Sequence, residues 1–238
     1  MCFDIVQWHA VSTRLRTPAD WQAWAENPAV ADELAETKPD VAFLPAMQRR
    51  RMGLLARLMF EAAWPLLAEN AHCPLVLVSH DGEINRGFEL WHTLYAQGDV
   101  SPTSFGLSVH NALAGQWSML RGDMSEHTAL AVGEEALETA LMEAAGMLSD
   151  GAAQVLVVFA DEPLAAQYDV QNVIRPPFAH AVALLIKPGS GWRLTRHAPV
   201  QPAANDCWSA LSFVREQYRQ SRQWVHHYAN ASWQWERA

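Results

Sequence analysis

The chain has 238 residues, half of them hydrophobic, and a formal net charge of −9. That is enough for a real core in one large domain or two small ones, and the acidic balance argues against a large nucleic-acid footprint. Its three cysteines, Cys2, Cys73 and Cys207, are odd in number and widely spaced, which suits neither a disulfide framework nor a zinc site. No apolar run approaches the ~20 residues of a membrane span. The first ten residues lack the basic flank of a secretory signal. The expectation is a cytoplasmic protein with no membrane span, no metal and no cofactor.

The elements follow in chain order. Residues 2–8 alternate as a strand, with Phe3, Ile5 and Trp8 on its apolar face. Thr17-Pro18-Ala19-Asp20 predicts a helix start, with Thr17 as cap, Pro18 in the first turn and Asp20 as the returning acid. Met52, Leu55, Leu58, Ala62 and Leu66 predict a long helix over 48–70, which Pro65 kinks or ends. Residues 74–79 and 154–160 are short apolar runs, the pattern of strands buried on both faces. Helices are predicted over 85–97 (closed by Gly98), 104–120 and 134–149, and a strand over 128–132. Residues 178–187 and 191–195 read as a strand pair turning at Pro188-Gly189-Ser190-Gly191. A terminal amphipathic helix is predicted over 206–227, tethered by residues 201–205, with Trp208, Leu211, Val214 and Tyr218 on one face. Strands alternating with helices give an α/β layer fold with a mixed sheet.

Residues 101–160 carry a family resemblance. Ser101-Pro102 leads into a helix with Asn111 and Ala114-Gly115; then come Gly122, an apolar strand over 128–132, the turn Gly133-Glu134-Glu135, Gly151, and a strand over 155–160. This order resembles the first half of a β-ketoacyl synthase. In that family a cysteine thiolate at a helix start performs the chemistry; here the ungapped register puts Glu134 in its slot. The family's two catalytic histidines lie beside glycine, and no histidine here does. The chain is therefore most similar to the chain length factors, and to the short form of aryl polyene clusters. The opening Asp20-Trp21, the run Leu44-Pro45-Ala46-Met47-Gln48-Arg49-Arg50-Arg51 and the closing Trp233-Gln234-Trp235-Glu236-Arg237 fit that branch as well.

The resemblance implies a thiolase-like half-fold with a mixed five-stranded sheet covered by helices, its second catalytic half missing. A ketosynthase-like domain would span residues 1–200 and a helical tail packing on it residues 201–238. It further implies no catalysis by this chain. The partners would be a complete ketosynthase subunit carrying Cys-His-His and an acyl carrier protein. Thr103, Ser104, Phe105, Leu107 and Asn111 would line an acyl tunnel shared with the ketosynthase. Phe105 is either a gate in that tunnel or a side chain of this chain's own core. The alternative is a free-standing thiolase-fold acyltransferase or hydrolase with a nucleophile other than cysteine.

Several residue groups allow two readings. Glu134 and Glu135 either cap a helix start, where carboxylates favour the positive end of the dipole, or Glu134 makes a specific bond, for instance across a dimer. Ser79-His80-Asp81 holds the residue types of a hydrolase triad, but as sequence neighbours, which triads are not. His226-His227 are adjacent and lack metal-ligand spacing. Arg49, Arg50, Arg51 and Arg57 are either a solvated face paired with Glu36, Asp40 and Glu61 or a patch for an acidic partner. The small residues of 134–148 suit close helix contact, with the tail or with a partner. Trp21, Trp24, Trp208, Trp224, Trp233 and Trp235 serve packing or a partner surface.

Overall fold

A computed structural model describes residues 1–168, 176–199 and 208–238. Cys207 and the expected tether over 201–205 lie outside the described residues. The chain opens with β1 (Cys2–Ser12) and α1 (Pro18–Glu26). The Thr17 side chain accepts from the Asp20 N–H, and the Asp20 carboxylate accepts from the Thr17 N–H, so the capping box forms as the sequence indicates. Single turns α2 (Val30–Glu33) and α3 (Ala46–Arg49) follow, then α4 (Leu54–Ala63). The long helix expected over 48–70 is thus broken at Gly53, whose extended backbone caps α4, and its regular part stops at Ala63 before Pro65.

Next come β2 (Leu75–Ser79), α5 (Ile84–Gln97), α6 (Pro102–Gly106), α7 (Ala112–Arg121), β3 (His127–Ala131), α8 (Ala136–Ser149) and β4 (Val155–Asp161). Gly98 closes α5 at a φ of 77°, a left-handed backbone that glycine adopts without a Cβ penalty. The helix expected over 104–120 is two helices.

The sheet has seven strands rather than five, in the order β3-β2-β4-β5-β7-β6, with β1 also on β5. β2, β3 and β4 run parallel; the other pairings are antiparallel. Two segments differ from the sequence reading. β5 (His180–His197) is one strand, because Pro188-Gly189-Ser190-Gly191 forms a bulge and not a turn. Phe3 pairs with Trp192 and Asp4 with Lys187, and the Asp4 carboxylate holds the looped-out residues by accepting the Gly191 N–H at 2.8 Å. The terminal helix α9 (Ser209–Tyr218) stops well short of His227. Gln220 turns the chain at a φ of 57°, and β6 (Gln223–His227) and β7 (Ser232–Arg237) follow as a hairpin. Trp224, His226, Tyr228 and Trp233, Trp235 recur with period two, which outweighs helical spacing once Tyr218 is passed.

Alternating strand residues feed two cores. Val76, Val78, Val155, Val157 and Phe159 pack with Leu137, Leu141 of α8 and Leu211, Val214 of α9. Leu75, Leu77, Leu156 and Val158 pack with Leu55, Met59 of α4 and Trp117 of α7. α8 is therefore covered by this chain's own tail. Trp21, Trp24, Trp233 and Trp235 are buried, so the terminal tryptophans mostly serve packing. α5 and α6 stand outside both layers, without a buried residue between them. No helix among the described residues is long and apolar enough to cross a membrane.

Candidate functional site

The turn after β3 brings three glutamates to the start of α8. Glu134 is half-buried, and its Oε2 accepts the backbone N–H of Ala229 in the β6–β7 turn at 3.1 Å. The Glu135 Oε2 accepts the Trp233 indole N–H at 2.5 Å and lies 3.4 Å from Arg196 Nε. Glu138, one turn on and fully buried, is held by side chains of the same hairpin. Its Oε1 takes His226 Nδ1 at 2.5 Å and Trp235 Nε1 at 3.1 Å, and its Oε2 takes the Tyr228 hydroxyl at 3.1 Å. The tautomer of His226 follows from the network: Trp224 Nε1–H donates to Nε2 at 3.1 Å, so Nε2 carries no proton and Nδ1 donates. Glu138 is thus a buried acceptor met by three donors, with no cation opposite it. The specific bond expected of Glu134 exists, but it is made within this chain.

Sequence reasoning missed Glu138. The one available signal was its i, i+4 relation to Glu134 beside the apolar Leu137 and Leu141, which places an acid on the buried side of the helix.

A second polar cluster sits where the parallel strands β2 and β4 end. Asp161 is buried, and its carboxylate accepts the His80 N–H at 2.9 Å and the Asp81 N–H at 3.4 Å. Burial outweighs these bonds and pushes Asp161 up to about 7. Burial likewise pushes neighbouring Glu162 up to about 7 and raises Glu83, which pairs with Arg86 at 3.0 Å. Ser79, His80 and Asp81 do not form a triad. Ser79 Oγ lies 3.5 Å from His110 Nδ1, and His80 Nδ1 lies 3.0 Å from its neighbour Asp81. At 1% exposed, Ser79 is no accessible nucleophile.

In front of this cluster a cleft of about 310 Å³ is lined by Asp81, Ile84, Phe88, Trp91, Ser108 and His110 among others. None of the five expected tunnel residues lines it, although Ser108 and His110 come from the same segment. Thr103 and Asn111 are exposed, Ser104 and Leu107 half-buried, and Phe105 is 60% exposed, so it packs in no core of this chain.

The four arginines divide. Arg49 pairs with Asp40 at 2.7 Å, and Arg57 donates to the carbonyls of Pro39 at 2.9 Å and Arg49 at 2.6 Å. Both brace the loop before α4, where buried Val41 sits at a φ of 48°. Glu61 accepts the Val41 N–H and Glu36 pairs with Arg14, so neither serves the patch as expected. Arg50 and Arg51 remain exposed. Cys73 is buried, its thiol pushed up to about 11, and Cys2 lies on β1 opposite Arg193 of β5. Among the described residues no cluster of potential metal ligands occurs.

An open mixed sheet between helical layers, with a helix starting where the parallel strand β3 ends, defines the thiolase-like ketosynthase fold. The chain belongs to the β-ketoacyl synthase family: the family model for the β-ketoacyl synthase N-terminal domain matches residues 21–236. Over its whole length it is similar to a chain of the complex of the ketosynthase ApeO with its chain length factor ApeC from Xenorhabdus doucetiae. The two are 26% identical with a TM-score of 0.85, and the match covers 100% of each. The ishigamide ketosynthase/chain length factor shares the fold at 16% identity and a TM-score of 0.64, over 84% of this chain and 68% of that one. The type II ketosynthase AntDE, solved with the acyl-carrier protein AntF, gives 10% identity and a TM-score of 0.71, over 99% of both. Comparison with curated proteins gives no match.

Glu138→Ala strips the acceptor from the buried His226 and Trp235 and should cost about 3–5 kcal/mol in denaturant unfolding. Tyr228→Phe, which removes one hydroxyl, should cost only about 0.5–1.5 kcal/mol. A cost for Glu138→Ala no larger than that of Tyr228→Phe would contradict the network.

Asp161 sets a pH dependence. Unfolded it titrates near 3.8, folded near 7, so the unfolded chain releases the proton first and stability falls as pH rises between those values. Asp161→Asn lacks this loss. Its stability relative to the unsubstituted chain should therefore climb from pH 4 to pH 7, by on the order of 2–4 kcal/mol. A difference that stays flat with pH would refute the assignment.

Proposed function

We propose that this chain is a non-catalytic, chain-length-factor-type subunit that docks a complete ketosynthase and walls part of its acyl tunnel. The observation that carries this reading is α5, a helix of 14 residues without one buried side chain. Trp91 is 72% exposed, Tyr95 94% and, on α6, Phe105 60%. Burying each such side chain is worth about 1.5–3 kcal/mol, so a chain that leaves them bare beside one another is built to have them covered. β3 is an edge strand of the sheet with one side unpaired among the described residues, a second feature that suits a partner.

The start of α8 supports the absence of catalysis. The position that resembles the family's nucleophile holds Glu134, and this carboxylate, Glu135 and Glu138 are all bonded to the chain's own hairpin. A carboxylate held this way is a poor thioester nucleophile. The ketosynthase would supply Cys-His-His, and the acyl chain, delivered by a carrier protein, would extend towards the cleft beside Phe88, Trp91 and His110. Thr103, Ser104, Phe105, Leu107 and Asn111 are then interface residues around that cleft. Arg50 and Arg51, exposed and basic, are the part of the arginine run left for an acidic partner. The free-standing acyltransferase or hydrolase has no such support.

The interface is tested by Trp91→Asp combined with Tyr95→Asp, measured by co-purification with the ketosynthase. Because both side chains are exposed, the melting temperature of the chain should hold while the complex is lost. A complex that survives both changes would contradict the docking face. Phe105→Ala tests the gate. Its exposure predicts a stability change within about 0.5 kcal/mol and, in the assembled complex, longer acyl products. An unchanged product distribution would remove Phe105 from the tunnel.

A further inference from the structure

The helix α5 is fastened to the rest of the chain at few points. None of its 14 residues is buried, and neither core includes one of its side chains. Among the described residues, the hydrogen bonds and ring contacts that its side chains make beyond its own cap run to one short segment after β4, residues 162–168. Asn85 Nδ2 donates to the Pro163 carbonyl at 2.9 Å, and Asn85 Oδ1 accepts the Ala165 N–H at 2.9 Å. The Phe88 ring stacks on Tyr168 with centroids 3.9 Å and planes 20° apart, and the His92 ring lies 5.8 Å from the same tyrosine.

A glycine in the left-handed region stands near each end of the helix, Gly82 at a φ of 57° and Gly98 at 77°. Such backbone turns without the penalty a Cβ brings, and hinges are a few residues at element ends that absorb a change in backbone angles. A Cβ on Gly82 would come 2.6 Å from His110 Nδ1, so this end sits against the cleft described above; a Cβ on Gly98 would meet nothing within 4 Å. Between the two, α5 supplies Ile84, Gly87, Phe88 and Trp91 to the cleft of about 310 Å³, and Ser108 and His110 come from beyond α6. The cleft is thus the gap between α5 and that segment, and its width follows the position of the helix.

We propose that α5 is a hinged lid on this cleft, turning on Gly82 and Gly98 and latched by Asn85 and Phe88 to residues 163–168. The structure holds the latched state. The side-chain bonds that opening breaks are few, and no core is disturbed; segments held this lightly are the ones that open locally while the global fold stays. Turning as a rigid helix keeps the backbone bonds of α5, so the lid moves without melting. On the reading above, an acyl chain extends towards this cleft, and the lid then sets how much of the chain the cleft admits.

The test is a distance measurement between spin labels on the full chain. One label sits at Tyr95→Cys on α5 and one at Asp150→Cys after α8, both exposed positions, with Cys2→Ser and Cys207→Ser so that the remaining cysteine is the buried Cys73. A lid gives two distances, a major one for the latched helix and a minor one for the open state. Asn85→Ala with Tyr168→Ala removes the latch and should raise the minor population by ~10-fold or more, with the far-ultraviolet helix signal unchanged. One distance common to both proteins would overturn the proposal. So would a broad spread of distances with loss of helix signal, which marks melting of α5 in place of hinging. The chain is measured alone, so two distances without any binding of a ketosynthase would remove the docking reading and leave the lid.

Discussion

The buried carboxylate of Glu138 ties the two ends of this fold together. A charge inside a protein is tolerated only where donors replace the water it has lost, and here all three donors come from the terminal hairpin: His226, Tyr228 and Trp235. The consequence runs both ways. The hairpin is held at one end by its strand bonds to β5 and at the other by α8, and α8 in turn has its first turn fixed on the hairpin through Glu134 and Glu135. The start of α8 is thus turned inward and spent on the chain's own structure.

That inward commitment contrasts with the outward one at α5 and α6. The two cores on either side of the sheet are lined by valine, leucine and tryptophan at near-zero exposure. α5 and α6 contribute a buried residue to neither. One chain thus combines a self-satisfied helix start with an apolar flank left bare. Together they support the proposed reading of a subunit that shapes a partner's site and does not use its own.

The parts of the fold written in local pattern were legible in the sequence. β2 and β4 came from short apolar runs, α1 from its capping box, the end of α5 from Gly98, and the family from the ungapped register over 101–160. What failed were segments where punctuation serves tertiary structure. Pro188-Gly189-Ser190-Gly191 has turn chemistry, but Asp4, far away in sequence, captures Gly191 and makes a bulge of it. The tail beyond Tyr218 carries apolar residues at spacings open to more than one reading, and only the partnership with β5 makes it a hairpin. Glu134 was visible because a family register pointed at it. Glu138 was not, because its donors lie 88 to 97 positions away and no local rule connects them.

The proposed role of this chain is to assist thioester chemistry without taking part in it. Intact-protein mass analysis of the purified chain and of its complex with a ketosynthase, each exposed to acylated carrier protein, tests it most directly. An acyl mass should be added to the ketosynthase subunit alone, with this chain unchanged in both samples. An acyl adduct on this chain, in isolation or in the complex, would contradict it.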